Sequence, residues 1–133
     1  MAVHGTGVDV VVPAASQDVA DRILGAGGAL VSPFSDGTPP GVANFIRRSW
    51  TIAELADLVV VVEAGRASTA PFTAQVACML GKTVMAVPGS VFSPLSTECH
   101  NLIVDGAVLV RNARDILNEL VADVADLTTQ EPQ

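Results

Sequence analysis

Tyrosine is absent from this chain, and it holds only one tryptophan, two cysteines and two histidines among 133 residues. Cys78 and Cys99 have no partner pair and no metal-ligand spacing, which argues against a zinc site. Cys78 is expected on the buried face of its helix, where free cysteines commonly pack. His4 reads as a strand-end residue and His100 as a helix-surface one, and nothing places either beside a serine or cysteine in a triad arrangement. Long apolar runs are missing as well. The longest are about five residues, against roughly 20 for a membrane span, and no leader pattern precedes Ala2. A soluble, cytoplasmic protein with no membrane contact is expected. Basic residues number seven against fourteen acidic ones, a net charge of −7. That balance excludes coating of nucleic acid by bulk electrostatics but not a local basic patch. Five of the acids (Asp115, Glu119, Asp123, Asp126 and Glu131) fall in the last stretch of the chain, so the body is only mildly acidic.

What the chain does have is apolar material, at 50% of its residues, enough for the core of one domain. Residues 58–90 carry the clearest pattern. Leu58, Val59, Val60, Val61 and Val62 form one β-branched run, and Thr83, Val84, Met85, Ala86 and Val87 form a second. Runs this short and continuous suit strands covered on both faces, which are parallel strands joined by a crossover helix. The helix between them is predicted over 70–80, with Ser68 or Thr69 as its cap, Pro71 in its first turn and Gly81 as its stop. Elsewhere a short strand opens at Ala2, and Ser16 caps a helix over 17–26 with Val19, Ala20, Ile23 and Leu24 on one face. A strand is expected over 29–34, and a helix over 44–56 with Phe45, Trp50, Ile52 and Leu55 as apolar anchors. A short helix ending at Asp105, a strand over 107–110 and a last helix over 113–126 complete the set. In that last helix Ile116, Leu117, Leu120, Val121 and Val124 are expected to face inward. The whole reads as one three-layer α/β domain of Rossmann-like type with a mostly parallel sheet, residues 1–127, followed by a frayed end at 128–133.

Sheets of this kind bind ligands beyond the carboxyl ends of their strands. Gly5 and Gly7, the 32–38 loop, the segment from Glu63 to Thr69, and Gly89 with Ser90 are therefore expected along one edge. Hydroxyls from Ser68, Thr69 and Ser90 would suit a phosphate or another anion, although ordinary caps and turns have the same composition. Glu63 has two readings, a tuned carboxylate or an acceptor for neighbouring loop amides. Gly5-Thr6-Gly7 lacks the third glycine of a dinucleotide fingerprint and no Gly-Lys-Ser/Thr element occurs. Nicotinamide and P-loop chemistry are thereby disfavoured; no cofactor and no enzymatic activity are expected. Arg47 and Arg48, beside Phe45 and Trp50, combine charge with aromatic rings as single-strand binding surfaces do.

The order of motifs resembles the DNA-processing protein A family, also called DprA or Smf. The matching elements are Gly7-Val8-Asp9 with Pro13, the segment from Gly28 to Ser32, Phe45 with Arg47 and Arg48, and the segment from Ile52 to Leu55. They continue through Val61 to Ala64, Ser68, Thr73 with Ala74, Pro88-Gly89-Ser90, the segment from Ser93 to Ser96, Cys99, and Leu102-Ile103 with Gly106-Ala107. The resemblance implies a Rossmann-like fold, truncated at its amino-terminal side relative to the family. It implies single-stranded DNA binding in DNA-mediated transformation and recombination, RecA loading, and a homodimer, expected here through Ile116, Leu117 and Leu120. Arg47 and Arg48 fall in the family's Phe-Pro-x-Arg-Asn-Arg segment, where Ile46 replaces the proline and Ser49-Trp50 replace the last two residues. A weakened or truncated DNA-binding protein is therefore the expected function. The alternative is a small nucleotide-binding sensor of the same superfamily, without catalysis, at Gly5, Gly7, Glu63, Ser68, Thr69, Gly89 and Ser90.

Overall fold

The computed structural model describes residues 1–129, with side chains described as far as residue 122. Its residues gather into two compact units, one from Met1 to Leu55 and one from Ala56 onward.

In the first unit β1 (Ala2–Val3) pairs in parallel with β2 (Leu30–Val31), Ala2 opposite Leu30 and Val3 opposite Val31. The ladder is extended by Ala2 N to Ala29 O at 2.9 Å and His4 N to Val31 O at 2.8 Å. Helix α1 (Gln17–Gly25) connects the strands, preceded by a 3-10 turn at Ala14–Ser16. Because that turn already places Ser16 in helical conformation, its hydroxyl makes no capping bond, contrary to expectation. Ala20 is the buried residue of α1, while Val19 and Leu24 are exposed. Apolar periodicity thus overstated the buried face. Residues 8–12, apolar at four of five positions, form no strand. Val10 N donates to the Gly7 carbonyl and the Thr6 hydroxyl to the Val10 carbonyl, which folds the run into turns.

The irregular 32–41 loop docks on those turns. Both carboxylate oxygens of Asp9 accept from the Gly37 amide, at 2.8 and 3.0 Å, and Gly7 N donates to Thr38 O at 3.0 Å. A side-chain carbon at Gly7 would stand 2.8 Å from Gly37 N and Ser35 O, so only glycine permits this approach. Helix α2 (Val42–Leu55) closes the unit. Its Ser49 is completely buried and donates to the Phe45 carbonyl at 3.1 Å, the back-bond that lets a hydroxyl sit inside a helix interface.

The second unit holds three parallel strands in the order β3 (Val59–Val61), β4 (Val84–Ala86), β5 (Val108–Leu109). Central β4 is buried throughout, as its uninterrupted apolar run predicts. Helix α3 (Ala70–Met79) crosses between β3 and β4, and its fully buried Ala74 and Ala77 let the helix backbone approach the sheet. Gly81, at φ +71°, ends it. Cys78 is exposed, against expectation, because the buried face of α3 is the Thr73, Ala74, Val76, Ala77 stripe. Cys99 is the buried cysteine. Helix α4 (Thr97–Val104) and helix α5 (Ala113–Thr129) follow.

Asn112 caps α5, its Oδ1 accepting from Arg114 N at 2.9 Å. On α5, Ile116 and Leu120 are half-buried, but Leu117 and Val121 are exposed, so the inward stripe is narrower than five residues. The Val124 side chain lies outside those described, as do residues 130–133 of the expected frayed end, whose first two residues belong to α5. No helix among the described residues is long and apolar enough to cross a membrane.

Candidate functional site

Helix α2 brings the four aromatic and basic candidates of the first unit onto one element, but on two of its faces. Residues three apart on a helix are neighbours, and residues two apart are not. Phe45 pairs with Arg48, whose guanidinium carbon lies 5.3 Å from the ring centroid. Arg47 shares the other face with Trp50, and both are exposed. The Arg47 guanidinium also stands over the Phe34 ring, at 5.9 Å. Trp50, read from the sequence as an apolar anchor, keeps 37% of its surface in solvent.

Arg48 is the unusual member. It is half-buried, and its Nε is shut off from solvent without a hydrogen-bond partner. Burial pulls its pKa below the ordinary arginine value, yet a guanidinium stays charged at neutral pH. The side chain lines a cavity of about 110 Å³ with Val3, Gly5, Thr6, Ile23 and Phe45. A buried donor without a partner costs free energy on the order of 1–3 kcal/mol. Gly5 keeps the cavity open, since a side-chain carbon there would come within 3.0 Å of the Phe45 ring. Gly5 and Gly7 are both buried.

The remaining candidates lie in the second unit, at the carboxyl ends of β3 and β4. Glu63 is exposed. Ser68 closes a tight turn: its amide donates to Gly65 O at 2.9 Å and its Oγ accepts from Ala70 N at 3.1 Å. The sequence left the cap of α3 open between Ser68 and Thr69; Thr69 occupies the cap position but makes no side-chain capping bond. Gly89 and Ser90 are exposed. Ser90 Oγ accepts from Phe92 N at 3.2 Å.

Sequence reasoning missed His100. It is half-buried rather than a plain surface residue, with Nε2 at 3.0 Å from Gly89 O and 3.3 Å from Gly89 N. Nothing in the local pattern of α4 signals a contact across eleven positions. Beside it Cys99 points its Sγ at the Val61 carbonyl, 3.7 Å away, and burial pushes its thiol pKa up. No group of three or more His, Cys, Asp or Glu side chains able to hold a metal occurs among the described residues.

Parallel strands joined by crossover helices, with loops gathered at the strands' carboxyl ends, define a Rossmann-like α/β protein. The chain belongs to the DNA recombination-mediator protein A family, whose family model matches residues 1–121. It is 40% identical over 120 residues to protein Smf of Escherichia coli, covering 90% of this chain and 32% of that one. With the DNA processing protein DprA of Streptococcus pneumoniae it shares 39% over 119 residues, 90% of this chain and 42% of the relative. The X-ray structure of that streptococcal protein superimposes with a TM-score of 0.77 at 36% identity, covering 88% of this chain and 42% of that chain. A DprA structure from Helicobacter pylori, described for its single-stranded DNA binding mode, matches in fold with a TM-score of 0.74 at 21% identity, covering 91% of this chain and 55% of that chain. The chain thus spans about a third of the length of the curated relatives it matches.

Proposed function

We propose that this chain binds single-stranded DNA through helix α2 as a non-catalytic DNA-processing protein. The observation that carries the reading is the Arg48 Nε, buried and without a partner beside the Phe45 ring. A phosphate or base oxygen would satisfy it, while exposed Arg47 and Trp50 supply a second charge and a stacking surface on the adjoining face. Family membership supports the same reading. Loading of a RecA-type recombinase, self-association through Ile116, Leu117 and Leu120, action of residues 1–127 as one domain, and a cytoplasmic setting are the finer parts of this proposal.

At Gly5 the nucleotide-sensor alternative finds less support. Sites for small organic ligands occupy roughly 300–1,000 Å³, and the cavity beside Gly5 measures about 110 Å³.

Fluorescence anisotropy with a labelled single strand at about 150 mM salt tests the reading, because contacts that matter must survive screening at a Debye length of roughly 8 Å. Binding that disappears when Arg47 and Arg48 are both changed to Ala is the expected result. Absence of binding by the unaltered chain, or affinity unchanged in the double variant, refutes it.

A further inference from the structure

The second unit displays an aromatic ring that packing does not explain. Phe92 is 94% exposed and neighbouring Val91 is 78% exposed, in the loop after β4. This loop is tied down at several points. Besides the bond from its amide to Ser90 Oγ, Ser93 N donates to Ser90 O at 3.0 Å and Leu95 N to Ser93 Oγ at 3.3 Å. His100 holds Gly89 at the loop's start. The ring is thus presented to solvent by an ordered backbone.

The loop after β3 is tied to the same segment. Ala64 N donates to Leu95 O at 2.8 Å, Glu98 N donates to Ala64 O at 3.0 Å, and a side-chain carbon at Gly65 would lie 3.4 Å from the Pro94 carbonyl. Arg66, the next residue, is exposed. Two adjoining loops therefore carry one exposed cation and one exposed ring. Ser68 and Ser90 lie on the same loops, and each hydroxyl oxygen accepts a backbone amide while its proton stays available to donate.

We propose that Arg66 and Phe92 form a second contact for single-stranded DNA, Phe92 stacking on a base and Arg66 meeting a backbone phosphate. The inference rests on the reading of α2 as a DNA-binding element and adds a separate contact in the other unit. An aromatic face paired with a cation is sequence-tolerant, because every base has a π-face and every nucleotide a charge. A protein partner anchored on Phe92 would have no need of the cation, and the charge at Arg66 is complementary to a phosphate chain.

The test uses the full chain, a labelled oligo-dT strand and salt near 150 mM. Phe92→Ala is expected to weaken binding about tenfold, the scale of a lost base stack. Phe92→Trp should restore affinity and Phe92→Leu should not, since leucine keeps the apolar bulk without the π-face. Arg66→Ala should lower the slope of log affinity against log salt by about one. A strand carrying 5-iodouracil should crosslink to Phe92 on irradiation, as mapped by mass spectrometry. Phe92→Leu binding as well as the unaltered chain overturns the proposal. So does Phe92→Ala changing the sedimentation of the DNA-free chain while leaving DNA affinity intact, which would assign the ring to contact with a second copy. If Arg47→Ala with Arg48→Ala abolishes binding while the Phe92 and Arg66 variants bind normally, only the second contact is refuted. If the unaltered chain does not bind, the α2 reading fails with it.

Discussion

The hydroxyl of Ser32 joins the ends of the two strands in the first unit, donating to the Thr6 carbonyl at 2.5 Å while accepting from the Phe34 amide at 3.0 Å. Thr6 is itself buried. Ser32→Ala removes both bonds and leaves a buried carbonyl and a part-buried amide to find other partners. The expected cost is about 1–2 kcal/mol of unfolding free energy, at an unchanged denaturant slope, measured by urea titration.

Gly89 offers a test of loop packing. A side-chain carbon at this position would overlap the Ser96 Oγ and stand 3.0 Å from the Ser96 Cβ, and Ser96 is buried at the start of α4. Gly89→Ala is expected to destabilise the chain by about 1–3 kcal/mol, the usual range for overpacking. Adding Ser96→Ala removes the oxygen but not the carbon, so the double variant should recover part of the loss. A double-mutant cycle on thermal unfolding measures that recovery.

The two thiols should differ sharply in reactivity. Cys78 is exposed, whereas Cys99 is buried with its thiol pKa pushed up by that burial, and the thiolate is the reactive form. A disulfide-exchange reagent such as DTNB should titrate one thiol in the folded chain and two in denaturant. Cys78→Ser should abolish the native reaction, while Cys99→Ser should leave it intact.

Asp115 couples the start of α5 to pH. Hydrogen bonds from the Arg111 side chain, foremost, and from its backbone amide hold the Asp115 carboxyl at about 2, below its ordinary 3.8. The contacts are Arg111 Nε and Nη2 at 3.0 and 2.9 Å and Arg111 N at 2.8 Å. A carboxyl pKa depressed by folding adds stability that is complete above 3.8 and is lost as pH falls through about 2. Carbon-13 titration of the carboxyl should show the low value. Arg111→Ala should move it back toward 3.8, while Asp115→Asn should remove this group's contribution to acid unfolding.

Much of the second unit was legible in its sequence. The runs at Val59 to Val61 and Val84 to Ala86 form strands because continuous β-branched and apolar residues have no other way to be covered on both faces. Gly81 and Pro71 marked the ends of α3 for the reasons glycine and proline always do. Cys78 was misplaced because helical spacing identifies a stripe but not its edge, and small residues on α3 set that edge at Ala77. Ser49 was invisible as a core residue, since its burial depends on a bond to its own helix carbonyl. Of the site, the pairing of Arg48 with Phe45 follows from their spacing. The unpartnered Nε does not, because it depends on a cavity built from the first strand and α1. His100 and Ser32 act across many positions of chain, and no local pattern encodes such contacts.

Every hydrogen-bonded strand pair among the described residues is parallel. No tight hairpin can therefore start either sheet: each partner arrives only after a whole helix has been traversed, and the loop-closure entropy falls due before any ladder bond is made. In the second unit α3 packs on β3 through Ala74 and Ala77, so substitutions there are expected to slow folding, while changes in the loop around Gly89 should chiefly speed unfolding, as stopped-flow folding and unfolding rates would measure.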